Sequence, residues 1–449
     1  MSAGARRRRV VNSTRVIACS FAGVILTGAL LLMLPISSVS GESCGFMTAL
    51  FTSTSATCVT GLILVDTLTQ FTFFGQGVIL VLIQLGGLGF MSVIFLLASL
   101  VRKRMSLSQR LMMVSAFNLN DMHDVARLVG NAFRLTFAVE AMGAIILTGC
   151  FLPRYGLGAI WKGIFISVSA FCNAGFDLLG PDQVGSLSTY ADHPVVLMTV
   201  ATLIVCGGLG FFVWAEILRK KSFRRLTLYS KMVLVITAAL IVGGALFFLA
   251  VEHDNPQTLG GMPWWQKVFN ALFQSITLRT AGFLTVDQGA LQQVSQMVCI
   301  LFMLVGGSAG STAGGIKTVT LGVLVLAMRA GLHGRSDVTI RGRTIPLSKV
   351  LSAVTLVLVV SMMFLFSSIA ISLVDEVPYL EAAYETASAL GTVGLTTGIT
   401  PTLSTFSHLL LVAMMYLGRV GVLSFSVAFL SQGGRKSRIS YPESDVMIG

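Results

Sequence analysis

Charged residues are scarce in this chain: Asp, Glu, Lys and Arg make up 11% of its 449 residues. Soluble domains carry roughly 25%, so an ordinary water-facing globule is excluded. Histidine is scarce too. His123, His193, His253, His333 and His408 stand far apart, with no HExxH pair and no GxSxG elbow anywhere, and the expected class is not an enzyme. The seven cysteines, at 19, 44, 58, 150, 172, 206 and 299, form no CxxC pair, which argues against a zinc site or a disulfide framework. No long hydrophilic stretch and no GxGxxG following a strand is present, so no nucleotide-sensing module is built into the chain.

What the chain has instead is apolar length. It is 54% hydrophobic with a mean hydropathy of +0.84, and its apolar runs reach the ~20 residues that a membrane helix needs. The first run follows MSAGARRRRVVNST and continues to Pro35 without a small-residue cleavage site, which reads as a membrane helix and not as a removable signal. Net charge is +12, but the basic residues cluster at 6–9, 102–104, 219–225, 329–349 and 435–438, always beside apolar runs. No basic face with interleaved aromatics occurs, so nucleic acid is not an expected partner; the lipid membrane is. The pattern is a positive-inside bias, which places these loops and both termini in the cytoplasm. Of the Lys and Arg residues, only Arg154, Lys162, Lys267, Arg279, Lys317 and Arg419 are expected away from the cytoplasmic side.

Between basic loops the chain crosses, pauses and returns, four times. The first runs cover about 16–34, 130–152, 228–251 and 350–374, and shorter half-apolar segments follow at 46–57, 160–171, 264–278 and 379–390. Returning runs cover about 77–101, 195–218, 294–328 and 407–430, the third of them interrupted. Directly after the short segments stand CVTGL, CNAGF, RTAGF and GTVGL. Their shared glycines, Gly61, Gly175, Gly282 and Gly394, recur about every 110 residues. The divisions that follow are a basic N-terminus at 1–14 and repeats at 15–105, 106–226, 227–335 (with a broken helix at 306–317) and 336–432. A tail at 433–449 ends the chain.

Because the basic loops fall on one side, the repeats are parallel about an axis along the membrane normal. The expected fold is an all-α integral membrane protein with four parallel helix–pore-loop–helix repeats around a central pore. Extended backbone at membrane depth is tolerated only where protein or water satisfies it. Four such segments on one axis can offer rings of carbonyls that replace a cation's hydration shell. The acids Glu42, Asp66, Asp177, Asp182, Asp192, Glu252, Asp254, Asp287, Asp375, Glu376, Glu381 and Glu385 lie in outer segments. They predict an acidic vestibule that favours cations over anions.

SATCVTGL, SAFCNAGF, LRTAGF, SALGTVGLTTG, IQLGGLGF, GGSAGSTAGGIK and LGRVG together resemble the Trk/Ktr/HKT potassium translocators, most closely the Ktr-type membrane subunit. The resemblance covers nearly the whole chain. It implies one potassium pathway per subunit, a homodimer in the bacterial cytoplasmic membrane, and filter loops that contribute carbonyls. Carried over, those loops are Cys58, Val59, Thr60 and Gly61; Cys172, Asn173, Ala174 and Gly175; Arg279, Thr280, Ala281 and Gly282; and Gly391, Thr392, Val393 and Gly394. In plant relatives a serine in place of the first glycine accompanies sodium preference, so Gly61 implies potassium. A single glycine per loop departs from the TVGYG filter of potassium channels and implies fewer ordered sites. The resemblance also implies a separate cytosolic ring subunit of the regulator-of-conductance type, which binds ATP or ADP. The loops at 222–227 and 331–343 and the C-terminal tail are its expected docking surfaces, and the tail could instead reach a partner subunit. No covalent cofactor is expected; potassium, and with it sodium, is the ion to be carried.

The interrupted third returning run is the most unusual stretch. Glycine costs about 1 kcal/mol in a helix interior, yet Gly306, Gly307, Ser308, Ala309, Gly310, Ser311, Thr312, Ala313, Gly314 and Gly315 lie together ahead of Lys317. They stand at the depth of IQLGGLGF, VCGGLGF and LGRVG, and only the third repeat extends the soft region. Gly306–Gly315 is expected to bend across the conduit as a gate below the filter, and the resemblance implies the same. For IQLGGLGF, close helix packing is expected. GSTAGGIKT is no phosphate loop, because Ile316 separates the glycine from Lys317 and no strand precedes it. Arg419 replaces the glycine of the other repeats, and an intramembrane charge points to function. It can face the conduit as a barrier, the role the resemblance implies, or pair with carbonyls of the gate; both can hold. Lys317 is expected to snorkel inward, Arg279 to point behind its loop, and Glu140 to make a core hydrogen bond. A second reading of the whole chain is a sodium- or proton-coupled potassium symporter with alternating access.

Overall fold

The computed structural model describes residues 3–89, 125–180, 186–335, 337–340 and 342–421. Four similar series of helices fill it. The first holds α1 (Ala3–Leu32), α2 (Phe46–Cys58) and α3 (Phe73–Leu88). The second holds α4 (Val125–Tyr155), α5 (Gly158–Cys172), α6 (Pro194–Leu209) and α7 (Phe211–Lys220). The third holds α8 (Leu228–Val251), α9 (Trp264–Thr277), α10 (Gln293–Leu304) and α11 (Thr318–Leu332). The fourth holds α12 (Leu347–Asp375), α13 (Tyr379–Gly391) and α14 (Thr405–Val420). A two-residue antiparallel hairpin, Thr339–Ile340 with Arg343–Thr344, is the one strand pair among the described residues.

Sequence places the starts. Thr72, Thr227 and Ser404 each accept a hydrogen bond from the amide three residues on, capping α3, α8 and α14. Pro263, Pro346 and Pro378 stand directly before α9, α12 and α13. The short helix of each series packs on the long helix before it: α2 on α1, α5 on α4, α9 on α8 and α13 on α12. The helix that follows packs on the short helix of the next series, α3 on α5, α6 on α9 and α10 on α13. Finally α14 packs on α2, so the four series close on themselves.

The join between long and short helix recurs in three series. Ser53 Oγ donates to the Ile25 carbonyl at 2.7 Å, Ser167 Oγ to Glu140 O at 2.6 Å, and Ser275 Oγ to Ile241 O at 2.9 Å. Three residues after each acceptor stands a glycine, Gly28, Gly143 or Gly244, whose missing side chain lets the same serine approach. Small residues that admit a close helix and a cross-helix hydrogen bond hold membrane helices together where lipid supplies no hydrophobic drive.

The returning runs differ from expectation. The sequence predicted one interruption, in the third; within the described residues the second is bent as well, and the helices of the first and fourth end at a glycine. In the second, α6 and α7 are bent by 96° at Gly210. α3 stops before Gly89 and α14 before Gly421. Gly89, Gly210 and Gly421 share one backbone conformation, with φ of 80°, 89° and 89° and ψ of 129°, 142° and 122°. Side chains forbid that region, so only glycine ends the helix this way. Among the described residues three helices, Phe133–Tyr155, Leu228–Val251 and Leu347–Asp375, are long and apolar enough to cross a membrane alone, with α6 and α7 passing as a bent pair. The continuations of the first and fourth returning runs, the basic residues at 102–104, and the tail at 433–449 lie outside the described residues.

A methyl group at Gly28 would meet Ser53 Oγ and stand 2.7 Å from Leu82 Cδ1, whereas at Gly23 nothing lies within 4 Å. Overpacking of this kind costs about 1–3 kcal/mol. Gly28→Ala is therefore expected to lower the melting temperature of the detergent-purified protein by several degrees, while Gly23→Ala leaves it unchanged.

Candidate ion pathway

The four glycine motifs begin where the short helices end. The second residue of each motif is left-handed: Val59 (φ 59°), Asn173 (φ 61°) and Thr392 (φ 55°) directly cap their helices, while Thr280 (φ 69°) stands beyond the end of α9 at Thr277. Two residues later comes the motif glycine, again at positive φ: Gly61 at 98°, Gly175 at 71°, Gly282 at 78° and Gly394 at 94°. A left-handed conformation is ordinary for Asn, but for Val and Thr it is a strained state costing of order 1–3 kcal/mol. Nothing in the sequence singled out these four positions for a left-handed conformation.

The amides of the motifs turn back onto their own helices. Thr60 N donates to Ser55 O at 2.8 Å and Gly61 N to Ser55 Oγ at 3.0 Å. Val393 N and Gly394 N treat Ser388 identically, at 2.8 and 3.0 Å. Ala174 N reaches Ser169 O at 2.7 Å and Ala281 N reaches Thr277 O at 2.9 Å. While all four third-residue amides and the amides of Gly61 and Gly394 are occupied, the carbonyls of the third and fourth motif residues accept no protein hydrogen bond among the described residues. Ser55 and Ser388 were within the quoted motifs but had no assigned role. A serine six residues before the glycine in three of the four motifs was the available signal.

The four loops meet. A Cβ on Gly61 would stand 2.6 Å from the Ala174 carbonyl oxygen, one on Gly175 3.0 Å from Ala281 O, and one on Gly282 2.5 Å from Val393 O. One on Gly394 would collide with Thr60 O. Each glycine thus faces the third-residue carbonyl of the next loop, and the order closes as a ring. Around it, the Asn173 amide pairs with the Thr280 hydroxyl at 3.2 Å. Cys58 and Cys172 are buried at the helix ends, as is Arg279 at 7% exposure. Gly391 is the last residue of α13.

Below the ring, the segment from Gly306 to Gly315 is a folded loop. Gly306 N donates to Ile316 O at 2.9 Å and Ile316 N to Leu304 O at 3.1 Å, closing its neck. Its tip lies on the bend of the second series: Ser308 N donates to Gly208 O at 3.0 Å, Ser308 Oγ to Leu209 O, and Phe211 N to Gly310 O at 3.0 Å. Ser311 Oγ returns to Ser308 O at 2.7 Å and accepts from Ala313 N. Thr312 N donates to Gly207 O at 3.3 Å and its hydroxyl to Phe171 O at 3.2 Å. Gly307 and Gly314 leave no room for side chains against Gly208 O and Thr392 respectively. Tyr229 OH donates to Ala309 O at 3.0 Å. Neighbouring backbone, not free flexibility, compensates for the lost helix.

Arg419 joins this loop to the first series. One guanidinium nitrogen donates to Thr312 O, the other to Gly86 O and, at 3.2 Å, to Gly87 O. Gly86 and Gly87 pack closely on the short helices, where a Cβ would meet Thr57 O and Cys172 Sγ. Lys317 departs from expectation. Its ammonium does not snorkel; it folds back onto Ala313 O at 2.7 Å and Gly314 O at 3.4 Å, capping carbonyls of the loop it ends. Arg279 lies behind its loop beside Ile204, Val205, Gly208, Ile241 and Ile276. Glu140 accepts from Gln84 Nε2, 3.2 Å to each oxygen. Several outer acids are occupied structurally. Glu385 is buried, with Thr396 and Thr400 hydroxyls at 2.5 and 2.6 Å. Glu252 takes Asn255, Thr258 and Gln292 N. Asp375 takes Ser404 N and the Ser407 hydroxyl. A vestibule of free carboxylates is reduced accordingly, and Asp182 lies outside the described residues.

Comparisons with known proteins agree on one family. The family described as "TrkH: Cation transport protein" matches residues 5–436. The potassium/sodium uptake protein NtpJ of Enterococcus hirae is 38% identical over 450 residues, covering 99% of both chains. Ktr system potassium uptake protein B of Bacillus subtilis is 37% identical over 437 residues, covering 97% of this chain and 96% of its own. The crystal structure of the potassium transporter TrkH from Vibrio parahaemolyticus superposes with a TM-score of 0.73 at 16% identity, over 93% of this chain and 85% of that one. The shared fold, the multi-pass helical character and near full-length matches place this chain in the TrkH cation transport protein family, a family of transporters and not of enzymes.

Proposed function

We propose that this chain is the ion-translocating subunit of a potassium-uptake system in a bacterial cytoplasmic membrane. Its four series act as parallel repeats around one pore, and potassium passes the ring of motif carbonyls. The observation that carries the proposal is the ring of third- and fourth-residue motif carbonyls that accept no hydrogen bond among the described residues, set around four touching glycines whose preceding amides turn back onto their helices. Backbone carbonyls presented without their own donors can replace a cation's hydration shell. NtpJ and the Ktr system protein are described as potassium/sodium and potassium uptake proteins, which supports the same cargo.

The loop 306–315 is the gate of this pore and Arg419 its electrostatic barrier. The loop runs from the Gly207–Gly210 bend to Arg419, whose other donors reach Gly86 and Gly87, so it touches elements on several sides of the axis. Two such subunits pair, and a cytosolic ring subunit that binds ATP or ADP controls the gate from the basic face. The word sodium in the description of NtpJ favours sodium entry as a second component, either activating or coupled.

Rubidium-86 uptake into liposomes holding the purified chain tests this. Deletion of 308–314 is expected to raise uptake severalfold, still blocked by excess potassium; unchanged or abolished uptake overturns the gate. Sodium-22 measured in the same vesicles is expected to show no fixed stoichiometry with rubidium, and obligatory co-entry would instead establish a symporter. Gly61→Ser places a side chain against Ala174 O at a φ of 98°, and potassium preference over sodium is expected to fall, read from competition curves. Arg419→Gln removes the charge and shortens the bridge, and uptake at saturating rubidium is expected to rise.

A further inference from the structure

Helix α7 is held at both ends. Its first amide, Phe211 N, donates to Gly310 O at the gate tip, 3.0 Å. Gly210, directly before it, is packed so closely on the tip that a Cβ there would stand 2.7 Å from Ser308 Oγ and 3.0 Å from Ala309 O. The 96° bend frees carbonyls of α6, and Trp214 of α7 reaches back to one of them, with Nε1 2.8 Å from Cys206 O. The bend is therefore braced from inside.

At the other end, Glu216 ties α7 to the start of α8. Its carboxylate accepts from Thr227 N at 2.8 Å, Thr227 Oγ1 at 2.7 Å, the Ser230 hydroxyl and Lys220 Nζ. Thr227 is the cap of α8, and the next turn holds Tyr229. That ring meets Phe212 of α7 edge to face, 6.1 Å between centroids, and its hydroxyl donates to Ala309 O at 3.0 Å. The gate tip is thus gripped by α7 and by the first turn of α8, and a buried acid locks those two together. Between them runs the segment 221–226, which carries Lys221, Arg224 and Arg225 and begins just after Arg219 and Lys220.

We propose that Tyr229 and Glu216 are positioning residues that latch the gate shut, and that α7 is the strut through which forces on the basic segment 219–225 reach the gate tip. The proposal rests on the gate reading of 306–315. Nothing in it requires Tyr229 or Glu216 to touch the ion. A push on the segment moves α7 and Tyr229 together, because Glu216 joins them, and so withdraws both grips from Ala309 and Gly310 at once.

Tyr229→Phe removes one hydroxyl and keeps the ring against Phe212. A single neutral hydrogen bond shifts a closed–open equilibrium about fivefold. Rubidium-86 uptake is therefore expected to rise by about that factor, with potassium-over-sodium preference unchanged, and Glu216→Gln is expected to raise it in the same direction. In the 308–314 deletion, where the tip is gone, Tyr229→Phe is expected to change nothing. Uptake that stays at the wild-type level or falls in Tyr229→Phe, or that changes equally with and without the tip, overturns the latch. Should the deletion itself fail to raise uptake, the gate reading falls instead, so the two failures are distinguishable. Melting temperature in detergent, expected to shift little for Tyr229→Phe, excludes general unfolding as the cause of any loss.

Discussion

Backbone amides and carbonyls inside a bilayer have no water to turn to, and each one left unpaired there costs several kcal/mol. In this chain the consequences reach every unusual feature. Where the backbone leaves the helix, key N–H groups find acceptors in the protein: the third-residue motif amides in the helix behind them, Gly306 and Ile316 at the neck of the loop in its own flanks, Ser308 and Thr312 in the bend at Gly207–Gly210. The carbonyls of the glycine motifs are treated differently. Third-residue amides turned away and carbonyls left open give the ring a polarity suited to a cation.

Crowding is the second consequence. The four loops approach until each glycine lies against the next loop's carbonyl oxygen, so that even a methyl group has no place. Such proximity requires the left-handed turns at Val59, Asn173, Thr280 and Thr392, three of them by β-branched residues that ordinarily avoid this state. Serine side chains at 55 and 388 hold the turned amides in place. Strain retained at such a site signals over-determination by the surrounding packing. Here that packing is the closed order in which α3, α6, α10 and α14 each brace the short helix of the following series.

Charge below the ring obeys the same rule. Arg419 is not balanced by a carboxylate among the described residues; carbonyls from two series receive it. The arrangement satisfies the guanidinium and also ties the loop to the first series. Lys317, by turning back on Ala313, stiffens the loop from within. The loop is therefore a folded object with a definite seat, held by named hydrogen bonds.

Much of this was legible in the sequence because it is periodic or local. The short helices, the four glycines and the interruption at 306–317 follow from apolar runs, motif recurrence and helix-breaking residues. Glu140's buried hydrogen bond and the position of Arg279 behind its loop were also readable, since an ionisable residue in an apolar run has few alternatives. The breaks at Gly89, Gly210 and Gly421 were not read, because one glycine among apolar residues is equally compatible with a packed helix; only the φ and ψ it adopts decide. Nor could the acids be assigned: Glu385 and Glu252 look like vestibule charges until the threonines that surround them are seen. By itself the sequence determined a membrane-embedded helical chain with four recurring glycine motifs, and it pointed to backbone, not side chains, as the candidate site. Only the tertiary structure decided which carbonyl faces which glycine, where Lys317 and Arg419 spend their hydrogen bonds, and that Tyr229 reaches the loop, since these pairings join residues up to several hundred positions apart and follow from packing, which no local pattern records.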